Sequence, residues 1–204
     1  FKALCANTTA DQVVAVGCGA LISNTTGANN VAVGSLSLEG TTTGSDNTAA
    51  GPASGLSLTT GSNNLLLGHD AGRSNSPNTI TTGSDRIVLG NNSITNAYIR
   101  VDWTVTSDLR DKMNIEPISH GLDFVNQLNP IKFNFKKSRE NATSHGRKKY
   151  GFKAQDILAL EGEDNVIIDN EDPNSLKYIG SHLVPVLVNA IKELKAEIEL
   201  LKNK

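Results

Sequence analysis

A serine and a lysine five residues apart, Ser107 and Lys112, stand in the stretch Thr106-Ser107-Asp108-Leu109-Arg110-Asp111-Lys112-Met113-Asn114-Ile115. A serine hydroxyl is a weak nucleophile until a neighbouring base takes its proton. Lysine can be that base only when neutral, so its pKa must fall from about 10.4 toward about 7–8, at a differential cost to the ammonium of roughly 4 kcal/mol. Burial in a closed assembly supplies such a shift, a neighbouring cation such as Arg110 adds to it, and Asp108 or Asp111 opposes it on approaching the amine. On a regular helix, side chains five residues apart point roughly 140° away from each other. The pair therefore meets only across a turn or between subunits. Taken alone, Ser107 reads as a helix N-cap and Lys112 as a surface charge.

Other chemistry finds little material. Cys5 and Cys18 make neither a disulfide framework nor a metal site and read as small buried side chains. No metal or cofactor is expected. The acids upstream of Ser107 (Asp11, Glu39, Asp46, Asp70, Asp85, Asp102) are scattered, which argues against the carboxylate pair of a glycosidase.

Around this stretch the composition changes abruptly. Residues 1–106 carry 4 of the 19 Lys+Arg and 6 of the 21 Asp+Glu, while residues 107–204 carry 15 of each. Glycine runs the other way, with 13 before Ser107 and 5 after it. Neither half has the basic excess that phosphate-backbone binding requires, so no nucleic-acid partner is expected. No apolar run approaches the roughly 20 residues of a bilayer span, and no signal-peptide pattern opens the chain, so no membrane insertion is expected.

The first half is repetitive. ADQVVAVG from Ala10 returns as GANNVAVG from Gly27, GSDNTAAG from Gly44, GSNNLLLG from Gly61 and GSDRIVLG from Gly83. Three intervals are 17 residues and the last is 22, an insertion around residues 73–77. A threonine pair precedes most returns: Thr25-Thr26, Thr42-Thr43, Thr59-Thr60 and Thr81-Thr82. The triplets between turn formers predict short strands. Each unit offers few apolar side chains against the entropy of ordering it, so a single copy is not expected to hold its fold alone. Stacked repeats wrapped with other copies around a common axis would bury the rest. The expected fold of residues 1–106 is thus an intertwined trimeric all-β fibre with repeats from 10 to 90; the alternative is a single-chain solenoid. The units resemble the head repeats of trimeric bacterial adhesins and the shaft repeats of phage fibres.

Residues 107–204 read as a small α+β domain ending in a long coiled-coil helix. Ser119 is the expected cap of a helix through Leu122, Val125 and Leu128, ended by Pro130. Ile131, Phe133 and Phe135 alternate as in a half-buried strand. A basic loop (136–149), a helix over 154–160 and a strand at 166–168 follow. The last helix, expected at 182–203 with Ser181 as cap and Pro185 in its first turn, spaces Val184, Leu187, Ile191, Leu194, Ile198 and Leu201 as a heptad seam. Its Ile/Leu pattern favours two strands in isolation, so a trimer would have to be imposed by the attached domains.

The signature Ser-Asp-x-Arg-x-Lys-x-Asn-Ile resembles the opening of the intramolecular chaperone domain of endosialidases and phage tail fibres, the S74 peptidase family. Leu128-Asn129-Pro130, Tyr150-Gly151-Phe152-Lys153-Ala154-Gln155-Asp156 and Tyr178 through Leu183-Val184-Pro185-Val186-Leu187 are similar to the family pattern in the same order, so that the resemblance covers residues 107–204. It implies a domain that trimerises, helps the upstream fibre to fold and then cuts itself off, as a single-turnover serine peptidase without an external substrate. Carried over, Ser107 is the nucleophile, Thr106–Ser107 the scissile bond and Lys112 the general base, with Asp108, Arg110 and Asn114 as supporting motif positions. The family reading also makes residues 136–149 an arm that clasps the upstream chain. The setting implied is a virion tail fibre made in the bacterial cytoplasm, its chaperone domain released after cleavage. The alternative is a fibre tip that binds a host-surface glycan or receptor, with His69, Asp70 and Arg73 at the 22-residue interval as the place to look, and a trimerisation domain that does not cleave. A trimeric autotransporter fits less well, because this sequence ends in a charged helix.

Overall fold

The computed structural model describes residues 2–74, 76–163 and 165–203. Two compact units make up the chain, Phe1–Tyr98 with Lys136–Gly146 and Ile99–Phe135 with Arg147–Lys204.

In the first unit the repeat becomes a β-solenoid-like stack. Strands β1 (Val14–Val16), β2 (Val31–Val33), β3 (Thr48–Ala50), β4 (Leu65–Leu67) and β5 (Ile87–Leu89) pair in parallel, each with the next. Val14, Val31, Thr48, Leu65 and Ile87 form one column of the register. Pairing of coils starts before Ala10, since Leu4 N donates to Ala20 O and Ala6 N to Ile22 O. Period 2 turns the middle residue of each triplet inward, where Ala32, Ala49, Leu66 and Val88 are buried. Leu21, Leu38, Leu58 and Ile80 complete this core. Asn29, Asp46, Asn63 and Asp85 turn the corner at φ 56–61°, a region that short polar side chains tolerate. Gly27, Gly44 and Gly61 are required for a different reason: a Cβ there would strike the carbonyl oxygen of Gly44, Gly61 and Gly83 in the next coil.

Polar columns bind coil to coil. Asn47 Nδ2 donates to Asn30 Oδ1 (3.1 Å) and to Gly61 O (2.9 Å), and its Oδ1 accepts from the backbone N–H and side-chain amide of Asn64 (3.1 and 3.0 Å). Asn30 and Asn47 are fully buried and Asn64 nearly so. Thr8, Thr25, Thr42 and Thr59 each donate a hydroxyl to the carbonyl of the matching threonine one coil on. The coils pair with one another within one chain, as in the single-chain solenoid alternative. These inter-coil hydrogen bonds and the leucines outside the strands supply what the apolar triplets lack. What the stack leaves outside is an exposed apolar row on the sheet: Val14, Val16, Val33, Leu67, Ile87 and Leu89.

The insertion folds as a pinched loop. Ser76 Oγ bonds the Arg73 and Asn78 carbonyls at 2.7 and 2.6 Å, and Ile80 N returns to Gly72 O, so the extra residues leave the coil and rejoin it in register. Asn75, within the expected insertion, lies outside the described residues. Cys5 and Cys18 are free and exposed, contrary to the buried sites expected for them.

The second unit holds α1 (Leu122–Gln127), α2 (Ala154–Glu161), the antiparallel pair β8 (Ile168–Asp169) and β9 (Lys177–Tyr178), and α3 (Gly180–Lys202). Phe124, Ile157, Ile167, Ile168, Leu183 and Val186 form its core. Strands β6 (Ile131–Lys136) and β7 (Ser144–Gly151) make a two-stranded sheet. The C-terminal part of the expected basic loop, residues 144–149, is thus in strand β7, whose Lys149 lies over the Phe135 ring of β6 at 5.2 Å.

Two caps differ from expectation. Helix α1 is capped not by Ser119 but by a distant carboxylate: Glu193 Oε2 of α3 accepts from Leu122 N at 2.6 Å, and a Cβ on the N-cap Gly121 would collide with that carboxylate. Helix α3 begins at Gly180 with Ile179 as N-cap, so Ser181 lies inside it and Pro185 falls past the first turn. Proline's missing N–H there removes the usual donor to the Ser181 carbonyl. Among the described residues no helix is long and apolar enough to cross a membrane.

Candidate functional site

The Ser107 region is built by one short turn. Asp108, extended at φ −67° and ψ 138°, caps a 3-10 turn over Leu109–Asp111 by accepting the Arg110 N–H at 2.9 Å. Its two carboxylate oxygens also accept from Arg110 Nε (3.0 Å) and Nη2 (2.6 Å), a forked ion pair. Hydrogen bonding from the Arg110 side chain, then from its backbone N–H, holds the Asp108 carboxyl below its ordinary value. The same carboxylate raises the Arg110 guanidinium. Lys112 closes the turn through its N–H to Leu109 O and leaves it extended, at φ −113° and ψ 145°.

This reversal brings Lys112 Nζ to 2.8 Å from Ser107 Oγ. The contact lies within one chain and off any regular helix. In it the amine donates, whereas taking the serine proton needs a neutral amine that accepts. Asp108 faces Arg110 rather than the amine, so Arg110's charge is already compensated and its expected repulsion of Lys112 is largely removed. Asn114, two residues on, sits at φ 52°, where asparagine is better tolerated than most residues, so its place in the signature has a backbone explanation. Every residue from Thr106 to Asn114 is exposed.

The heptad positions Val184, Leu187, Ile191, Leu194, Ile198 and Leu201 all lie on α3 and are all exposed, Ile191 at 66 % and Leu201 at 68 %. A separate face of the helix, Leu183, Val186 and Ala190, is the buried one. Packing of α3 on its own domain therefore uses other residues than the seam.

His69 Nδ1 and Arg73 Nη1 both contact Asp70, at 3.1 and 2.9 Å. Among the described residues no group of three His, Cys, Asp or Glu could hold a metal. One anchor was missed in the sequence. Buried Glu161 accepts the N–H groups of Val166 (2.9 Å), Ile167 (2.5 Å) and Ile168 (3.0 Å), which fixes the path from α2 to β8. Nothing in its spacing signals this, because the three donors are backbone groups.

No curated protein and no solved structure matches the chain. A family model does match, over residues 107–167, and the match opens on Ser107 itself. Behind its solenoid-like repeats, which are consistent with those of a fibre, residues 107–167 are similar to the Peptidase S74 family, described as chaperone of endosialidase.

Proposed function

We propose that this chain is the distal part of a trimeric phage tail fibre whose C-terminal domain assembles three copies, chaperones folding of the repeats and then cuts the Thr106–Ser107 bond once. The observation that carries the cleavage is the 2.8 Å contact of Lys112 Nζ with Ser107 Oγ at the opening residue of the family match. Assembly is supported by the exposed α3 seam and by the exposed apolar row on the solenoid sheet. Stacking of the repeats within one chain supports a trimer of three solenoids side by side over one of interleaved strands. The arm reading of the β6–β7 turn is supported within the first unit, where His145 Nε2 lies 3.2 Å from Ser93 O.

The chemistry follows from which bond is cut. Ser107 supplies both the nucleophile and the leaving nitrogen. Its Oγ, losing a proton to neutral Lys112 Nζ, attacks the Thr106 carbonyl carbon through a five-membered ring. The C–N bond breaks, the Ser107 nitrogen takes up the proton, and Thr106 becomes an ester on Ser107 Oγ. Water then hydrolyses that ester, leaving a Thr106 carboxylate and a Ser107 amine. Closure of the trimer over this exposed pair removes water from the amine, the condition under which lysine gives up its proton. Cleavage thereby reports assembly.

The rate of cutting after assembly tests this. Lys112→Met is expected to slow it by about 10²–10⁴, the usual share of a general base, and Lys112→Arg is expected not to restore it. Hydroxylamine should trap the ester as a Thr106 hydroxamate. Cutting of Lys112→Met at the unaltered rate, with trimers intact, refutes the lysine's role.

A further inference from the structure

Ile99-Arg100-Val101-Asp102-Trp103-Thr104-Val105-Thr106 alternates apolar and polar residues without a break, up to the proposed scissile bond. Strict alternation of β-branched and aromatic side chains is the pattern of a half-buried strand. Yet these residues lie in no strand or helix, and Ile99, Val101, Trp103 and Val105 are 53, 72, 74 and 80 % exposed. The chain presents a strand-like segment with no partner of its own among the described residues.

We propose that residues 99–105 form an interface between copies of this chain, in parallel and in register, and that this contact closes the site at Ser107 and Lys112. The inference rests on the trimeric reading above and names the surface that completes the site. Three observations favour a second copy as the occupant. The four apolar side chains expose on the order of 600 Å², at the top of the usual range for a monomer's largest patch. With a similar area on the α3 seam, the second unit offers on the order of 1,200 Å², more than the roughly 800 Å² per partner of a stable interface. The polar positions carry one charge of each sign, Arg100 and Asp102, two residues apart. Parallel copies in register bring Arg100 of one within diagonal reach of Asp102 of the next. Because the segment runs directly into Ser107, ordering it between copies also orders the Thr106 carbonyl and screens the amine from water.

Trp103 is the sole tryptophan, so its emission reads this segment directly. The experiment uses the full chain carrying Ser107→Ala, to keep it uncut, with Cys5→Ser and Cys18→Ser. Assembled chains are expected to show blue-shifted Trp103 emission, protected from acrylamide. Adding Val101→Cys is expected to give disulfide-linked copies on oxidation. In the otherwise natural chain, Val101→Glu should slow cutting more than tenfold; the cysteine cross-link supplies independent evidence if that variant fails to fold. Trimers with fully quenchable Trp103 and no cross-link overturn the interface while leaving the trimeric reading intact. Buried Trp103 in the Ser107→Ala trimers, with natural chains that assemble but never cut, upholds the interface and sinks the cleavage reading. A chain that stays monomeric, or that covers Trp103 without a second copy, overturns the proposal.

Discussion

Replacing Asn47 by alanine removes the middle rung of the buried amide column. Four hydrogen bonds go with it: those from Nδ2 to Asn30 Oδ1 and Gly61 O, and those to Oδ1 from the Asn64 N–H and amide. At about 0.5–1.5 kcal/mol each the loss is about 2–6 kcal/mol, with the Gly61 carbonyl and the Asn64 N–H losing a partner where water does not reach. A central value of about 4 kcal/mol is a large part of a domain's stability and corresponds to a melting point lower by about 8–16 °C. Asn47→Asp should be worse at neutral pH despite its matching shape, because it turns a carboxylate oxygen toward two acceptors, and acid should relieve part of the loss. On the exposed corner, Asn63→Gly keeps the left-handed turn and gives up one surface hydrogen bond to Asp85, so it should cost about 1 kcal/mol or less. Urea unfolding of the full chain, with hydrogen exchange at the Asn64 amide, measures all three. A loss below 1 kcal/mol for Asn47→Ala would refute the claim that the amide column holds the coils together.

Glu161→Ala should destabilise the second unit by about 2–4 kcal/mol, since three backbone donors lose a charged acceptor, and Glu161→Gln by less; urea midpoints check both. Asn114→Gly should keep the turn near Lys112, whereas Asn114→Val should cost about 1–3 kcal/mol of strain at φ 52° and slow cutting, as a gel time course would show. In the Asp108–Arg110 pair the carboxyl's folded value is lowered, so its contribution is present above the ordinary carboxylate range and fades as pH falls through the depressed value. An NMR titration should find that depression reduced but not abolished by Arg110→Ala, because the backbone N–H of residue 110 still donates to the carboxylate.

The period was legible because 17 residues return each side chain to the same place in a stack, which is why Val14, Val31, Thr48 and Leu65 share a column. Closure within one chain was not. Counting apolar residues in the triplets overlooks Asn30, Asn47 and Thr41, whose burial depends on partners a coil away, and Leu21 and Leu38, which sit at φ 49° and 52° against all propensity. At the site, the types and spacing of Ser107 and Lys112 excluded a regular helix but left both a turn and a neighbouring subunit open. The turn that brings them together within one chain lies in the Asp108 side chain capping the Arg110 N–H, a geometry no spacing encodes. The cap of α1 is Glu193, 71 residues from Leu122, and a local search could only offer Ser119.

The central claim is one cut, at one bond, made by Ser107 once the copies have assembled. Intact-mass measurement of the assembled chains tests it most directly. The account predicts that the natural sequence gives a fragment beginning at Ser107 and a partner ending at Thr106, while Ser107→Ala remains whole at 21.6 kDa. Assembled natural chains that stay at 21.6 kDa, or a Ser107→Ala chain cut at the same bond, would contradict it.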